Sequence, residues 1–134
     1  MGAGIEYSNG VLDQTFNNTD IGSFGHIWVA FHTGDPGLNG ADDEVPFSDG
    51  YGRADTEPID WGDAGARAIA NSVAITLGPP TGSWGDCTYV SLWKDETSKT
   101  AANFIGSGAL DSTISPEDGD TVVFAIGDLS VSLT

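Results

Sequence analysis

His26 and His32 are the residues with which a hydrolase would have to begin. A Ser–His–carboxylate triad needs one of them beside a nucleophile and an acid. The sequence offers no Gly-x-Ser-x-Gly elbow, and Gly106-Ser107-Gly108 falls inside a strand-like run, where its glycines read as a bulge. The two histidines flank the apolar run Ile27–Phe31 and are expected to be strand-end residues with local hydrogen bonds. Asp42-Asp43-Glu44 sits in a single loop, whereas the acid and base of a glycosidase come from opposite sides of a cleft. EF-hand spacing is absent, so a solvated acidic loop is expected, with adventitious calcium on Asp35, Asp42, Asp43 and Asp49 as the alternative. Cys87 is the sole cysteine, which excludes an intramolecular disulfide and a Cys-based zinc site, and no cationic neighbour in sequence activates its thiol. Arg53 and Arg67 are too few for a nucleotide site, and no Lys-bearing phosphate loop exists. From these residues we expect no enzyme, no cofactor and no resident metal.

The aromatic residues divide into two sets. Trp28 and Trp93 lie within apolar runs and are expected in the core. Trp61, in Asp60-Trp61-Gly62-Asp63, and Trp84, in Ser83-Trp84-Gly85-Asp86, lie in Gly-flanked loops beside carboxylates. Three roles fit such residues: stacking on the apolar face of a sugar, anchoring an oligomer interface, or pinning a turn against the end of a sandwich.

These residues belong to a 134-residue chain with 20 acidic and 4 basic side chains, a net charge of −16. That length suits one domain, spanning residues 1–134, with 1–20 as a helical or extended N-terminal segment. The charge argues against nucleic acid, whose phosphates demand clustered Lys and Arg, and against an anionic membrane. No apolar run approaches the ~20 residues of a spanning helix, and Met1–Glu6 is expected to be neither a secretory nor a myristoylation signal. Hydrophobics at 39% with four Trp, six Phe and three Tyr are too many for an acidic disordered tail.

The elements that must position any site are mostly strands. A short helix from Ser8, its cap, to Phe16 is expected, ended by Asn17-Asn18. Strands are expected at Ile27–Phe31, weakly at Tyr51–Glu57 as an edge before Pro58, then at Ile69–Leu77, Cys87–Trp93, Asn103–Leu110, Thr121–Ile126 and Leu129–Leu133. In the Ile69–Leu77 run, Ile69, Val73, Ile75 and Leu77 are placed on one side. Asp35-Pro36-Gly37 within the long 33–50 connection reads as a β-turn. Short strands separated by turn residues, with no long helical pattern between them, predict a mainly β fold: an antiparallel β-sandwich or barrel with a short N-terminal helix.

The order of these segments resembles a family of small tailed-bacteriophage virion proteins, usually labelled tail-fibre, minor structural or head-decoration proteins. The resemblance runs from Ser8 to Leu133. It is carried by Ser8–Phe16, by Trp28–Gly37 with its His32-Thr33-Gly34-Asp35-Pro36-Gly37 corner, and by Asn39–Val45. Gly50-Tyr51-Gly52-Arg53, Asn71–Leu77, Trp84–Trp93 and Asp118–Leu133 continue it in the same order. Acidic insertions at Asp42–Glu44 and Asp60–Asp63 depart from the pattern.

The resemblance implies a non-enzymatic structural subunit of a virion, assembled in the bacterial cytoplasm. Many weak symmetric contacts between copies, a homo-oligomer, would then do the work. The leading expectation is a capsid decoration, or cement, protein on the particle exterior, bound to the major capsid protein. A tail or tail-fibre component, or a carbohydrate-binding module for host attachment, is the alternative. Trp61, Trp84, Arg53 and Arg67 are the residues expected to make interface or glycan contacts.

Overall fold

A computed structural model describes residues 2–18 and 24–132. The expectations placed on residues 19 and 20 and on Leu133 lie outside that range. The elements in chain order are β1 (Gly2–Ala3), α1 (Ile5–Asn17), β2 (Ile27–His32), β3 (Ala54–Thr56), β4 (Ala68–Ala70) and β5 (Ile75–Leu77). They continue with β6 (Cys87–Trp93), β7 (Phe104–Ile114), β8 (Val122–Phe124) and β9 (Ser130–Ser132), and two 3₁₀ turns occupy Pro58–Asp60 and Ala101–Asn103. One antiparallel sheet has the order β1-β7-β6-β2-β3, and two ladders, β4–β9 and β5–β8, complete the fold. The arrangement is sandwich-like and not a closed barrel.

Period-two alternation along β2 and β6 gives the main sheet two different faces. Val29, Phe31, Val90 and Leu92 point toward the small ladders and share one buried cluster with Ile75, Leu77, Val122 and Phe124. The Phe31 and Phe124 rings meet there at 5.6 Å. The opposite face carries Ala30, His32, Ser91 and Trp93, with Phe104 packed on Trp93 at 5.1 Å. Part of the 33–50 connection lies on this second face, where the Asp42 carbonyl meets His32 and Gly40 meets Phe104, while Val45 joins the first cluster. Within this connection Gly37 donates its N–H to Asp35 Oδ1 at 2.9 Å, so a side chain closes Asp35-Pro36-Gly37, and the backbone β-turn comes one step later than expected, from Gly37 (φ +78°) to Gly40, whose N–H donates to the Gly37 carbonyl at 3.2 Å. Gly40 (φ +79°) lies so close to the Phe104 ring that any Cβ would overlap it.

Several boundaries differ from expectation for physical reasons. The run Ile69–Leu77 is two strands in two different ladders, not one. Between them the buried Asn71 side chain donates to the carbonyls of Val73 and Ala125 and accepts the Leu129 N–H, replacing a strand's ladder bonds with its own. Val73 consequently points outward. Helix α1 begins at Ile5, capped by the extended Gly4 rather than by Ser8, whose N–H already donates to the Gly4 carbonyl. The helix ends as expected, with Asn18 in the left-handed region at φ 55°. Trp93 is fully buried, whereas Trp28 is only half-buried.

Candidate functional site

The chemistry-bearing residues are distributed between a sealed polar network beneath the second sheet face and an outer surface of grooves and turns. In the network Glu44 receives Arg53 bidentately, Nε to Oε2 at 2.8 Å and Nη2 to Oε1 at 2.8 Å. Tyr51 donates its hydroxyl to Glu44 Oε2 at 3.2 Å and accepts the Phe31 N–H at 3.1 Å. Burial, reinforced by the Glu44 charge, raises the Tyr51 pKa far above its ordinary value. Arg53 Nη1 reaches the carbonyls of Asp95 and Ser98, and the guanidinium lies 4.1 Å from the centroid of the Trp93 ring. Each polar group is satisfied internally, and none is presented to a ligand.

His32 extends the network. Its Nδ1 lies 2.7 Å from the Asp42 carbonyl, which can only accept, so the ring proton sits on Nδ1. Nε2 therefore accepts from the Ser91 hydroxyl at 2.7 Å, and Ser91 Oγ accepts the Trp93 Nε1–H at 2.7 Å. Burial is the main reason that the His32 pKa is lowered, consistent with a ring held neutral. Ser91 and His32 are fully buried and make no nucleophile–base pair open to a substrate. Both histidines flank the apolar run of β2 as expected, and His32 bonds Asp42 in the connection that follows, but each also reaches another strand: His32 to Ser91 on β6, and exposed His26 to Asp55 on β3 at 2.7 Å.

The residues expected to make outward contacts take four different positions. Trp84 is only 3% exposed and donates its Nε1–H to the Asp49 carbonyl at 2.8 Å, so it pins a turn and offers no face to a sugar or a subunit. Arg53 is likewise internal, because its charge is consumed by Glu44. Glu44 is for the same reason no part of a solvated loop. Arg67 is exposed, at φ 64° in the turn that leads into β4. Trp61 is half-buried; its Nε1–H is fixed on Thr56 Oγ1 at 3.0 Å, while the indole lines an apolar groove of about 450 Å³ with Tyr7, Phe24, Ile27 and Val131. Glu57 and Asp63 line the same groove.

Cys87 is buried, and its thiol pKa is pushed up to about 11 by burial and by the Asp86 charge, as an unreactive thiol requires. Asp95, which accepts the Thr97 and Ser98 N–H groups, is held below the usual carboxylate range by those two bonds. Among the described residues the calcium candidates Asp35, Asp42, Asp43 and Asp49 do not bring three donors together; His26, Asp55 and Glu57 do. Sequence spacing gave no signal of that cluster, because it forms only when β2 pairs with β3.

Helix α1 presents an outward apolar face. None of its residues is buried, and Ile5, Leu12 and Phe16 are 45%, 55% and 78% exposed. Spacings of seven and four residues put these three on one face.

Residues 5–132 match the family described as Podophage GP4 fiber I protein gp80, a range from the first residue of α1 to the last of β9. No curated protein matches the chain. A match over nearly the whole length places this chain in the Podophage GP4 fiber I protein gp80 family of tailed-phage structural proteins.

Proposed function

We propose that this chain is a non-enzymatic subunit of a tail fibre or its attachment region, present in several copies and joined to its neighbours through helix α1. The family match over residues 5–132 carries the reading, since the family is described as a fibre protein. Nothing in that description favours capsid decoration, so the tail assignment takes precedence over the cement role expected from sequence. The helix supports the mode of assembly. A 13-residue helix with Gly10 in its second turn is marginal in water by itself, and the domain covers only its inner face, where Tyr7 packs on the core, leaving Ile5, Leu12 and Phe16 exposed. Apolar contact with a neighbouring subunit would remove Ile5, Leu12 and Phe16 from water.

Immunogold labelling of intact particles tests the placement. Label confined to the tail or its fibres is expected, and label spread over the capsid shell would overturn the fibre reading.

A second reading, glycan binding during host attachment, draws on Trp61 alone. Its indole face lines an open groove beside Glu57 and Asp63, the combination of stacking surface and hydroxyl acceptors that sugars use. Binding on a glycan array that disappears in Trp61→Ala would support it, and an array silent for the native protein would remove it.

A further inference from the structure

We propose that His26, Asp55 and Glu57 form a surface site for a transition-metal dication, with zinc as the first choice. The site follows from strand register. β2 and β3 pair antiparallel with Ile27 opposite Thr56 and Trp28 opposite Asp55. Continuing the register by one residue sets His26 across from Glu57. Residues two apart on a strand share a face, so Asp55 and Glu57 project together with His26 and Trp28. One donor atom from each of His26, Asp55 and Glu57 lies within 4.8 Å of the other two.

Two features hold the donors in place. The His26 ring stacks on Trp28, with centroids 6.1 Å apart and planes inclined by 28°, and its Nδ1 lies 2.7 Å from Asp55 Oδ1. Glu57 is the N-cap of the following 3₁₀ turn, where its carboxylate and the Asp60 carboxylate each accept the other residue's N–H. Glu57 is therefore tethered at the end of β3 rather than swinging free. β3 is the last strand of its sheet, so the cluster sits at an edge open to solvent.

The donor set selects the ion. One imidazole and two carboxylates suit zinc, nickel, copper or manganese, with water completing the shell. Calcium requires six or more oxygens, and three residues including a nitrogen donor do not supply them. In the metal-free protein the His26 Nδ1–H faces Asp55 Oδ1, which can only accept. Binding through Nδ1 displaces that proton and leaves the ring's one N–H on Nε2, and no co-reactant is required. The ion also removes the repulsion between two carboxylates held on one strand face, in a chain whose net charge is −16. Its effect on the fold is to clamp the start of β2 to the edge strand.

The test is a zinc chloride titration of the full chain, followed by imidazole NMR and thermal melting. The chain has two histidines, so each gives its own signal. The His26 signals are expected to shift while those of buried His32 stay, and the melting temperature is expected to rise by a few degrees. Affinity should fall by more than about tenfold in His26→Ala and in Glu57→Gln, both substitutions at exposed positions, and calcium chloride should not reproduce the shift. An unmoved His26 signal, or native affinity retained in the two variants, would overturn the site.

Discussion

Arg53 and Glu44 form a bidentate ion pair whose two side chains are both at 0% exposure. Eight residues of turn-rich chain lie between them, and the pair ties that connection to the sheet where the Arg53 guanidinium lies over Trp93. Removing one member strands the other as an uncompensated buried charge. Arg53→Ala and Glu44→Gln are each expected to destabilise by about 3–5 kcal/mol, read as a lowered urea midpoint with an unchanged slope. Arg53→Lys should recover little, because an ammonium cannot reproduce the fork on Glu44 together with the bonds to the Asp95 and Ser98 carbonyls. Full rescue by Lys would show that charge alone, without geometry, holds the connection.

His32 makes stability depend on pH. Its folded pKa lies below the unfolded value of 6.5 because burial disfavours the imidazolium. The unfolded chain then binds more protons than the folded one in the window below 6.5. His32's contribution is complete above that value and is lost as pH falls through the folded pKa. Protonated Nε2 would also aim a second donor at Ser91 Oγ, which already accepts Trp93. Between pH 7 and 5 the native protein should lose stability with a slope of at most about 1.4 kcal/mol per pH unit from this group, and His32→Gln should flatten that slope. Glu44, Arg53 and Lys99 also act on this ring, so the comparison is made within the native Glu44 background. An identical slope in the variant would assign the pH dependence elsewhere.

The strand runs were legible because burial on two sheet faces leaves dense β-branched and aromatic stretches, as in Ile27–Phe31 and Cys87–Trp93. Polar residues that replace the ladder were not legible. Asn71 reads as one polar position in an alternating run, yet its buried amide ends β4 and ties the chain to Leu129 and Ala125. The two-residue β1 was missed for another reason: Gly2 and Ala3 carry no apolar signal, and only backbone pairing with Gly106 and Ser107 makes them a strand. Loop composition misled most at Glu44 and Arg53, where an acidic cluster and a lone arginine resembled surface and proved to be core. The cluster of His26, Asp55 and Glu57 depends on cross-strand register, which a single chain's residue order does not display.

Trp84 and Trp61 look alike in sequence but differ in burial, and truncation should separate them. Trp84 packs edge-on against Tyr51 with ring centroids 5.1 Å apart, and it holds the Asp49 carbonyl. Trp84→Ala leaves a large internal cavity and an unpaired carbonyl, so a loss of about 3–5 kcal/mol is expected in denaturant melts. Trp61→Ala opens a groove that is already open and should cost clearly less. Equal losses would place Trp61 in the core as well.

Helix α1 gives the sharpest test of assembly. Its apolar face lies outside the domain's own core, with Phe16 the most exposed at 78%, so replacing these residues should scarcely alter the isolated fold. Leu12→Ser with Phe16→Ser is expected to shift monomer stability by less than about 1 kcal/mol. Each large apolar side chain removed from water at a subunit contact contributes about 1.5–3 kcal/mol, and copies related by symmetry multiply that gain. The double variant should therefore sediment as a monomer at concentrations where the native chain forms oligomers, with unchanged β-type circular dichroism. Oligomers of undiminished mass in the double variant would exclude the helix as the contact and leave the groove beside Trp61 as the next surface to truncate.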